Sequence, residues 1–179
     1  MIIIIVGMPG AGKDEFVKKA REMGMEIINM GDIVREYTKS MGLEINSINV
    51  GKIANEERKI NGMDVWARRT AEKIGEKRDI IINGVRNREE IEYFKKYFGN
   101  NIRIVAILSS EEDRYERIKR RNRDDDVKSM KEFKEREERE LNWGLGNVIA
   151  MADVFLINDK TLEEFRKNVE SLLNSFKNK

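Results

Sequence analysis

The feature that most constrains this chain is the loop Gly7-Met8-Pro9-Gly10-Ala11-Gly12-Lys13, which directly follows the apolar run Ile2 to Val6. Its G-x-x-x-x-G-K spacing is that of a P-loop, in which glycines let successive backbone N–H groups approach an anion. The helix expected to begin near Lys13 directs the positive end of its dipole to the same place, and the lysine adds a mobile charge. Because a β-branched strand precedes the loop and an amphipathic stretch follows it, the pattern predicts a nucleotide phosphate site and not an ordinary glycine-rich turn.

Asp14 departs from the common pattern, since most P-loops place Ser or Thr after the lysine to hold magnesium. A carboxylate can also bind Mg²⁺, but it brings negative charge close to the phosphates. Asp14 is therefore a candidate metal ligand. The residues predicted to hold the nucleotide are Gly7, Met8, Pro9, Gly10, Ala11, Gly12, Lys13, Asp14 and Glu15.

The composition narrows the class of protein. The chain has 179 residues, of which 40% are apolar, and this is enough for one domain with a substantial core. Charged residues reach 38%, but the signs nearly cancel to a formal +2, which argues against a nucleic-acid footprint. The chain has no histidine and no cysteine, so it lacks the commonest general base and all thiol chemistry. Phosphoryl transfer suits such a chain because it depends mainly on positioning and positive charge.

The apolar segments do not suggest a membrane protein. The run Ile2 to Val6 is too short for a signal peptide or a span and lacks a basic leader, and no later stretch reaches membrane length. We therefore expect a cytoplasmic monomer or homodimer without nucleic-acid or membrane partners.

Strand-like and helical segments alternate along the chain, which predicts a parallel sheet with helices on both faces. The predicted strands are Ile2–Val6, Glu26–Asn29, Asp79–Asn83, Ile102–Leu108 and Val154–Ile157. Residues 47–76 are expected to be helical, whereas residues 122–144 carry little apolar surface and are predicted to form a mobile, exposed element. Helix N-caps are expected at Asp64, at Ser109 paired with Glu112, and at Thr161 paired with Glu164.

Two arginines are expected at the carboxyl ends of strands, where ligands of open α/β sheets collect. Arg35 lies one turn after Asp32 in a helix that follows a strand, and Arg86 comes just after the strand that ends at Asn83. Together they could grip a monophosphate in bidentate fashion, and the competing interpretation is a pair of surface salt bridges. Asp32 is a candidate magnesium ligand or a base for a hydroxyl acceptor, and it could instead only cap its helix.

These segments resemble parts of known kinases. The loop Gly7–Lys13 is similar to that of adenylate kinase and other nucleoside monophosphate kinases, Met30–Arg35 resembles their acceptor-binding segment, and Ile82–Arg86 resembles their Asp-Gly-x-x-Arg segment. The segment Met151–Asp159 looks more like dephospho-CoA kinase. Over nearly its whole length the chain resembles a family of P-loop proteins related to adenylate kinase and dephospho-CoA kinase.

The resemblance implies one three-layer α/β P-loop NTPase domain, residues 1–179, with a five-stranded parallel sheet in the nucleoside monophosphate kinase arrangement. It also implies a helical acceptor-binding region at about residues 31–76 and a short lid at about residues 117–144. Adenine would lie near Asn158 and Asp159, where these kinases hold it largely through backbone atoms.

Asn83 is a second departure, since the resembled kinases carry an aspartate there that helps to hold magnesium-bound water. Our hypothesis is that the carboxylate has moved across the site to Asp14. If so, an Asn83→Asp, Asp14→Ser double variant keeps its magnesium affinity, and a collapse in affinity would count against the hypothesis.

Arginines of the lid region are candidates to stabilise charge on a transferring phosphoryl group. Arg117 and Arg121 share a helix face at the i, i+4 spacing. The run Asp124 to Asp126 could pair with such arginines in an open state, or it could be a solvated charge run. The predicted catalytic residues are Lys13, Arg86, Arg117, Arg121 and Arg136.

Two tryptophans have alternative roles. Trp66 could stack on a base, although a tryptophan in such a helix more often belongs to the core or an interface. Trp143 lies beside Gly144 and Gly146 and is expected to anchor the hinge of the lid.

The sequence therefore predicts an ATP- and Mg²⁺-dependent kinase that transfers the γ-phosphate of ATP to a nucleotide-like acceptor. A nucleoside monophosphate such as AMP is the preferred acceptor, because Arg35 and Arg86 suit a phosphate, and Asp32 would help to place it. The alternatives are a dephospho-CoA kinase-like enzyme and an ATP-binding regulator that transfers nothing, which the departures at Asp14 and Asn83 raise.

Overall fold

Five strands form a parallel sheet in the order β2-β3-β1-β4-β5. The computed structural model describes residues 1–76, 79–99, 101–121 and 129–177. The strands are β1 (Ile2–Val6), β2 (Glu26–Asn29), β3 (Ile80–Asn83), β4 (Ile102–Leu108) and β5 (Val154–Ile157). The helices are α1 (Lys13–Glu22), α2 (Met30–Ser40), α3 (Ser47–Asn61), α4 (Val65–Ile74), α5 (Arg88–Phe98), α6 (Glu111–Arg121), α7 (Met130–Asn142), α8 (Leu145–Ala150) and α9 (Leu162–Lys177). The predicted five-stranded parallel sheet is confirmed, and β3 begins one residue later than expected.

The central strand β1 sets the position of the functional edge. Ile4 pairs with Ile82 of β3 on one side and with Ile104 of β4 on the other. Because all paired strands run parallel, the segments that follow β1, β2, β3 and β4 all leave the sheet at the same edge. The P-loop, the start of α2 and the segment at Gly84 therefore lie close to one another.

The strand β1 is buried on both faces, and its side chains alternate between two cores. Ile2, Ile4 and Val6 pack with α2, α4, α5 and α8, whereas Ile3 and Ile5 pack with α1 and α9. Each of these five side chains is at most 1% exposed. Burial of one such side chain stabilises the fold by about 1.5–3 kcal/mol, so β1 fixes the loop that follows it.

The starts of three helices test the expected caps. The Thr161–Glu164 capping box is present, because Glu164 N donates to Thr161 Oγ1 at 3.2 Å and Thr161 N donates to Glu164 Oε2 at 3.3 Å. The expectation for Ser109 is wrong by one residue, since Ser110 Oγ accepts from Asp113 N at 3.2 Å. Asp64 is the N-cap residue of α4, as expected, but its side chain makes no cap hydrogen bond, because its carboxylate instead accepts from Arg68 at 2.5 Å.

The segment expected to be exposed contains the helix α7, which has a buried face. Phe133 is 0% exposed and packs edge-on against Tyr115, with ring centroids 5.4 Å apart. Glu137 and Glu140 lie one and two turns further along the same face and are also buried. The expectation of little buried surface is therefore wrong for α7. Residues 122–128, including the run Asp124 to Asp126, lie outside the described residues.

None of the helices in the described parts of the chain is long and apolar enough to cross a membrane.

Candidate nucleotide and acceptor site

The P-loop joins β1 to α1 and is held from two sides. Gly10 has φ +79°, and a Cβ there would lie 2.5 Å from the carbonyl oxygen of Arg114 on α6. Gly12 has φ +115°, and a Cβ there would lie 2.4 Å from Asn158 Nδ2. Asn158 itself donates to the Ala11 carbonyl at 2.9 Å and so ties the loop to the end of β5. The glycines are required both for the left-handed backbone and for this close packing.

Lys13 folds back onto the loop. Its Nζ donates to the carbonyl oxygens of Gly7 at 2.5 Å and Met8 at 3.0 Å. Burial, and after it the positive charge of Arg86, lower the pKa of Lys13 to about 7, against the opposing effects of Glu140 and Asp14. A lysine whose pKa is this low lacks enough nearby negative charge to offset its burial. A phosphate site that is free of phosphate has this property, because the phosphate would supply the missing negative charge.

The first turn of α1 carries the two predicted nucleotide-binding carboxylates. Asp14 accepts a hydrogen bond from Arg121 Nη1 at 2.9 Å, so the structure brings this predicted catalytic arginine to the P-loop. Glu15 lies 3.8 Å from Arg166 on α9, and its Oε2 is buried. The structure therefore places both acids next to arginines.

Arg117 takes a different position from Arg121. It donates to Ser109 Oγ and to the carbonyl oxygen of Asn158, both at 2.8 Å, and thereby joins the ends of β4 and β5. It is not among the residues that line the large cavity described next. A smaller depression of about 280 Å³ is lined by residues that include Asn158, Asp159 and Phe165. Phe165 lies beside Gly12, so this depression is next to the P-loop.

A cavity of about 600 Å³ opens between α2, α3 and α7, beyond the end of β3. This volume lies within the range of small-molecule sites. Its basic side chains are Arg35, Lys52, Arg58, Arg86, Arg136 and Arg139. Its acidic side chains are Glu132, Glu135 and Glu140, and its apolar side chains are Met30, Val34, Ile48, Val50, Ala54, Trp66 and Trp143. Such a cavity suits an anionic ligand with an apolar part.

Arg86 connects the cavity to the P-loop. Its Nε lies 3.1 Å from Glu140 Oε2 of α7, and its charge acts on Lys13. Arg136, the next predicted catalytic residue, also lines the cavity and lowers the pKa of Lys13. The structure therefore brings together Lys13, Arg86 and Arg136, three of the five residues that the sequence analysis proposed as catalytic.

Asp32 and Arg35 form an exposed pair. Arg35 Nη1 lies 2.6 Å from Asp32 Oδ1, and Asn29 donates to the other oxygen of Asp32 at 3.2 Å. Asn29 in turn accepts from Asn83 Nδ2 at 2.9 Å, whereas Asn83 Oδ1 is buried without a hydrogen bond. Arg35 lines the cavity, but Asp32 is not among the lining residues.

These oxygens bear on whether Mg²⁺ fits the site. The described residues contain no group of three acidic side chains that could cage a metal. Magnesium bound to a nucleotide needs only one or two protein oxygens besides the phosphates and waters. Asp14 lies at the first turn of α1, and the orphaned oxygen of Asn83 lies at the end of β3, so the residues present fit such an ion.

A buried ion pair that the sequence analysis missed forms the wall between cavity and sheet. Arg58 Nη2 lies 3.0 Å from Glu90 Oε1, and Glu90 Oε2 also accepts from the backbone N–H of Arg86 at 2.7 Å. Burial raises the pKa of Glu90 despite the nearby charge of Arg58. The signal in the sequence was the position of Glu90 on the apolar stripe of α5, next to Ile91 and one turn before Phe94.

The two tryptophans both line the cavity but have different surroundings. Trp66 is 0% exposed, and its Nε1 donates to the Ala54 carbonyl at 3.2 Å, so the structure places it in the core. Trp143 follows α7 and receives the guanidinium of Arg58 over its ring, 5.2 Å from the centroid.

Comparison with solved structures defines the class of fold. The chain superposes on a shikimate kinase from Aquifex aeolicus with a TM-score of 0.59, 18% identity and coverage of 98% of this chain and 97% of that chain. For a shikimate kinase from Bacteroides thetaiotaomicron the TM-score is 0.64, with 15% identity and coverage of 97% and 98%. The structure is therefore a P-loop kinase fold, and at these identities the likeness concerns the fold alone.

Comparison with sequences defines the family. Residues 6–134 match the model of an AAA domain. A UPF0200 protein of Thermoplasma volcanium is 51% identical over 172 residues, with coverage of 96% of each chain. A UPF0200 protein of Methanopyrus kandleri is 42% identical over 179 residues, with coverage of 97% of this chain and 89% of that protein. The chain belongs to the UPF0200 family, and its P-loop lies within the segment that matches the AAA-domain model.

Proposed function

We propose that this protein is an ATP-dependent phosphotransferase that acts on a small phosphorylated acceptor bound in the cavity between α2, α3 and α7. The observation that carries this proposal is that Arg86 belongs to both places. It lines the cavity, and its charge acts on the P-loop lysine. A group that lies between donor and acceptor sites is suited to stabilise a phosphoryl group in transit.

The nucleotide would be held by the loop Gly7–Lys13 and the first turn of α1. Lys13 would leave its two carbonyl partners for the outer phosphates, where its charge is better compensated. The depression beside Gly12 would take the base, next to Asn158 and Asp159. Asp14 and Asn83, with Asp32 through water, are the proposed oxygens around Mg²⁺, which when bound would neutralise charge on the phosphates.

The acceptor would be anchored by the basic side of the cavity. Arg35 and Arg86 are the proposed ligands of its phosphate, and Arg136 faces the same space. The apolar wall at Val34, Ile48 and Ala54 suits a ring or chain carried by that phosphate. A nucleotide-like acceptor, such as a nucleoside monophosphate or dephospho-CoA, fits this description.

Arg121 and Arg117 have different proposed parts. Arg121 could exchange Asp14 for a phosphate oxygen, since it lies 2.9 Å from that carboxylate at the P-loop. Arg117 already joins Ser109 to Asn158, so we assign it to the nucleotide side of the site. We also propose, as expected from the sequence, that the protein is located in the cytoplasm and is a monomer or a homodimer.

ADP release from ATP and Mg²⁺ tests the function across AMP, other nucleoside monophosphates, dephospho-CoA and shikimate. We expect one acceptor to raise turnover well above the background and to be recovered phosphorylated. Lys13→Met should abolish that turnover, whereas Lys18→Met, on an exposed residue of the same helix, should not. ATP binding with slow hydrolysis and no acceptor effect would instead support the regulator that the sequence left open.

A further inference from the structure

The carboxylate of Glu140 occupies an unusual place in the acceptor cavity. Glu140 is 5% exposed, and its Oε2 is buried without a hydrogen bond, although Arg86 Nε lies 3.1 Å away. It lies close enough to Lys13 to raise the pKa of that lysine. The cavity thus contains a buried negative charge beside the very cations proposed to hold phosphates.

A second ion pair of α7 connects this helix to the P-loop. Glu137, one turn before Glu140, forms a buried ion pair with Arg114. Arg114 also donates to the Pro9 carbonyl at 3.3 Å and to the Ser109 carbonyl at 3.2 Å. The side of α7 that carries Glu140 is therefore tied to the P-loop itself.

Asp32, the base that the sequence suggested for a hydroxyl acceptor, lies elsewhere. Its side chain is 56% exposed and accepts from both Arg35 and Asn29. Glu140 lines the cavity, whereas Asp32 does not. Of these two carboxylates, only Glu140 lies in the cavity where the acceptor is proposed to bind.

When the substrates are bound, Glu140 needs a new hydrogen-bond partner. Once Arg86 and Lys13 turn to the phosphates, the buried carboxylate needs another hydrogen-bond donor, because an unpaired buried charge is strongly unfavourable. A phosphate oxygen that attacks as a dianion offers no proton and would be repelled. A hydroxyl group offers the missing donor.

We propose that Glu140 is the general base for a hydroxyl acceptor, so that the substrate class is an alcohol that also carries a phosphate or other anionic group. This inference rests on the proposed phosphotransferase function and makes its product a phosphate ester. The alcohol oxygen forms a bond to the γ-phosphorus as its proton passes to the Glu140 carboxylate. The bond between that phosphorus and the β–γ bridging oxygen breaks, and its electron pair leaves on ADP. A nucleotide-like acceptor would thus react at a sugar or side-chain hydroxyl and not at its phosphate.

The charged groups around Glu140 affect any pH profile. Those that line the cavity with it or act on Lys13 are, besides Lys13 itself at the P-loop, Asp14 on α1, Arg35 on α2, Lys52 and Arg58 on α3, Arg86 after β3, and Glu132, Glu135, Arg136 and Arg139 on α7. Since a change at any of these groups can alter the profile, the pH profiles of the parent and of Glu140→Gln are compared side by side.

The test compares Glu140→Gln and Glu140→Asp with a matched control, Glu138→Gln, which removes an exposed carboxylate from the same helix. Transfer from ATP is measured to AMP and CMP, to dephospho-CoA and shikimate as hydroxyl probes, and to water as ATP hydrolysis. Thermal unfolding and ATP binding confirm that each variant is folded.

We expect a phosphate ester as the product, a fall in kcat of about 10²-fold or more in Glu140→Gln with little change in KM, and loss of the acidic limb of its pH profile. Glu140→Asp should recover part of the activity, and Glu138→Gln should behave like the parent. A role confined to holding Arg86, which is itself a proposed catalytic residue, would change kcat or KM but leave the pH profile intact, and an unchanged pH profile in Glu140→Gln would overturn the proposal.

Other results separate this inference from the function on which it rests. If the parent converts a nucleoside monophosphate to a diphosphate, or if Glu140→Gln keeps its kcat, the phosphotransferase stands and the general base falls. If none of the probes is phosphorylated, the rates of ATP hydrolysis by the parent and by Glu140→Gln are compared. Equal rates would overturn the proposal. If the parent binds ATP but transfers to neither probe nor water, both proposals fail.

Discussion

Lys13 is the residue at which the electrostatics of the site can be measured most simply. Its pKa is lowered to about 7 by burial and by Arg86, so above that pH the free protein holds it largely neutral. Phosphates next to Lys13 favour its charged form and raise its pKa. Binding of ATP should therefore be coupled to a proton.

We predict that ATP binding at about pH 8.5 takes up a proton, because Lys13 is neutral before binding and charged after it. The affinity should fall as the pH rises above about 7, and no uptake by Lys13 is expected well below that value, where it is already charged. Calorimetric titration in buffers of different ionisation enthalpy measures the uptake. Lys13→Met should remove it, and a proton balance of zero in the parent would contradict the assigned environment.

The P-loop glycines offer a second test at this scale, with a control inside the chain. Gly10 and Gly24 both have φ +79°, but an added Cβ meets the Arg114 carbonyl at 2.5 Å in the first case and nothing within 4 Å in the second. Gly24→Ala should cost about 1–2 kcal/mol from backbone strain alone. Gly10→Ala should cost clearly more and should also weaken ATP binding. Equal free energies of unfolding for the two variants would show that α6 does not press on the loop as described.

At the scale of elements, α3 and α5 are joined through the ion pair of Arg58 and Glu90. Both side chains are buried, and Glu90 also holds the backbone of Arg86 in place. The pair therefore connects the wall of the cavity to the segment that carries the proposed phosphate ligand.

We predict that Arg58→Met lowers the free energy of unfolding by about 3–5 kcal/mol, because it leaves a buried carboxylate without its cation. The double variant with Glu90→Leu should be destabilised by less than the sum of the two single variants, since neither charge then lacks a partner. Denaturant unfolding of the four proteins measures the coupling. Additive effects would mean that the two side chains do not interact as the structure shows.

The helix α7 shows why elements can be harder to interpret than motifs. Its segment has few apolar residues, which led to the wrong expectation of an exposed element. The buried face is built from Phe133 and from two glutamates whose charges are compensated by Arg114 and Arg86. A hydropathy pattern does not register acidic residues as buried, because their burial depends on partners elsewhere in the chain.

For the whole molecule, local patterns predicted the sheet and the P-loop, whereas contacts between distant residues decided the rest. The β-branched run of β1 and the glycine spacing after it are each encoded within a few residues. The approach of Arg86 to Glu140, or of Arg58 to Glu90, depends on how α3, α5 and α7 pack around the end of β3. The spacing of Glu90 from Phe94 and of Glu140 from Phe133 places both acids on buried faces, and this signal was present in the sequence.

Direct recovery of the transferred phosphate tests the central claim, which is that the cavity and the P-loop form one phosphotransferase site. ATP labelled in its γ-phosphate is incubated with Mg²⁺, the protein and each candidate acceptor, and the products are separated and identified. We predict that the label moves to a single acceptor, that the product is a phosphate ester, and that Lys13→Met abolishes the transfer. The account would be contradicted if the label were recovered only as inorganic phosphate, and if the rate of its release were the same in the presence and absence of every acceptor.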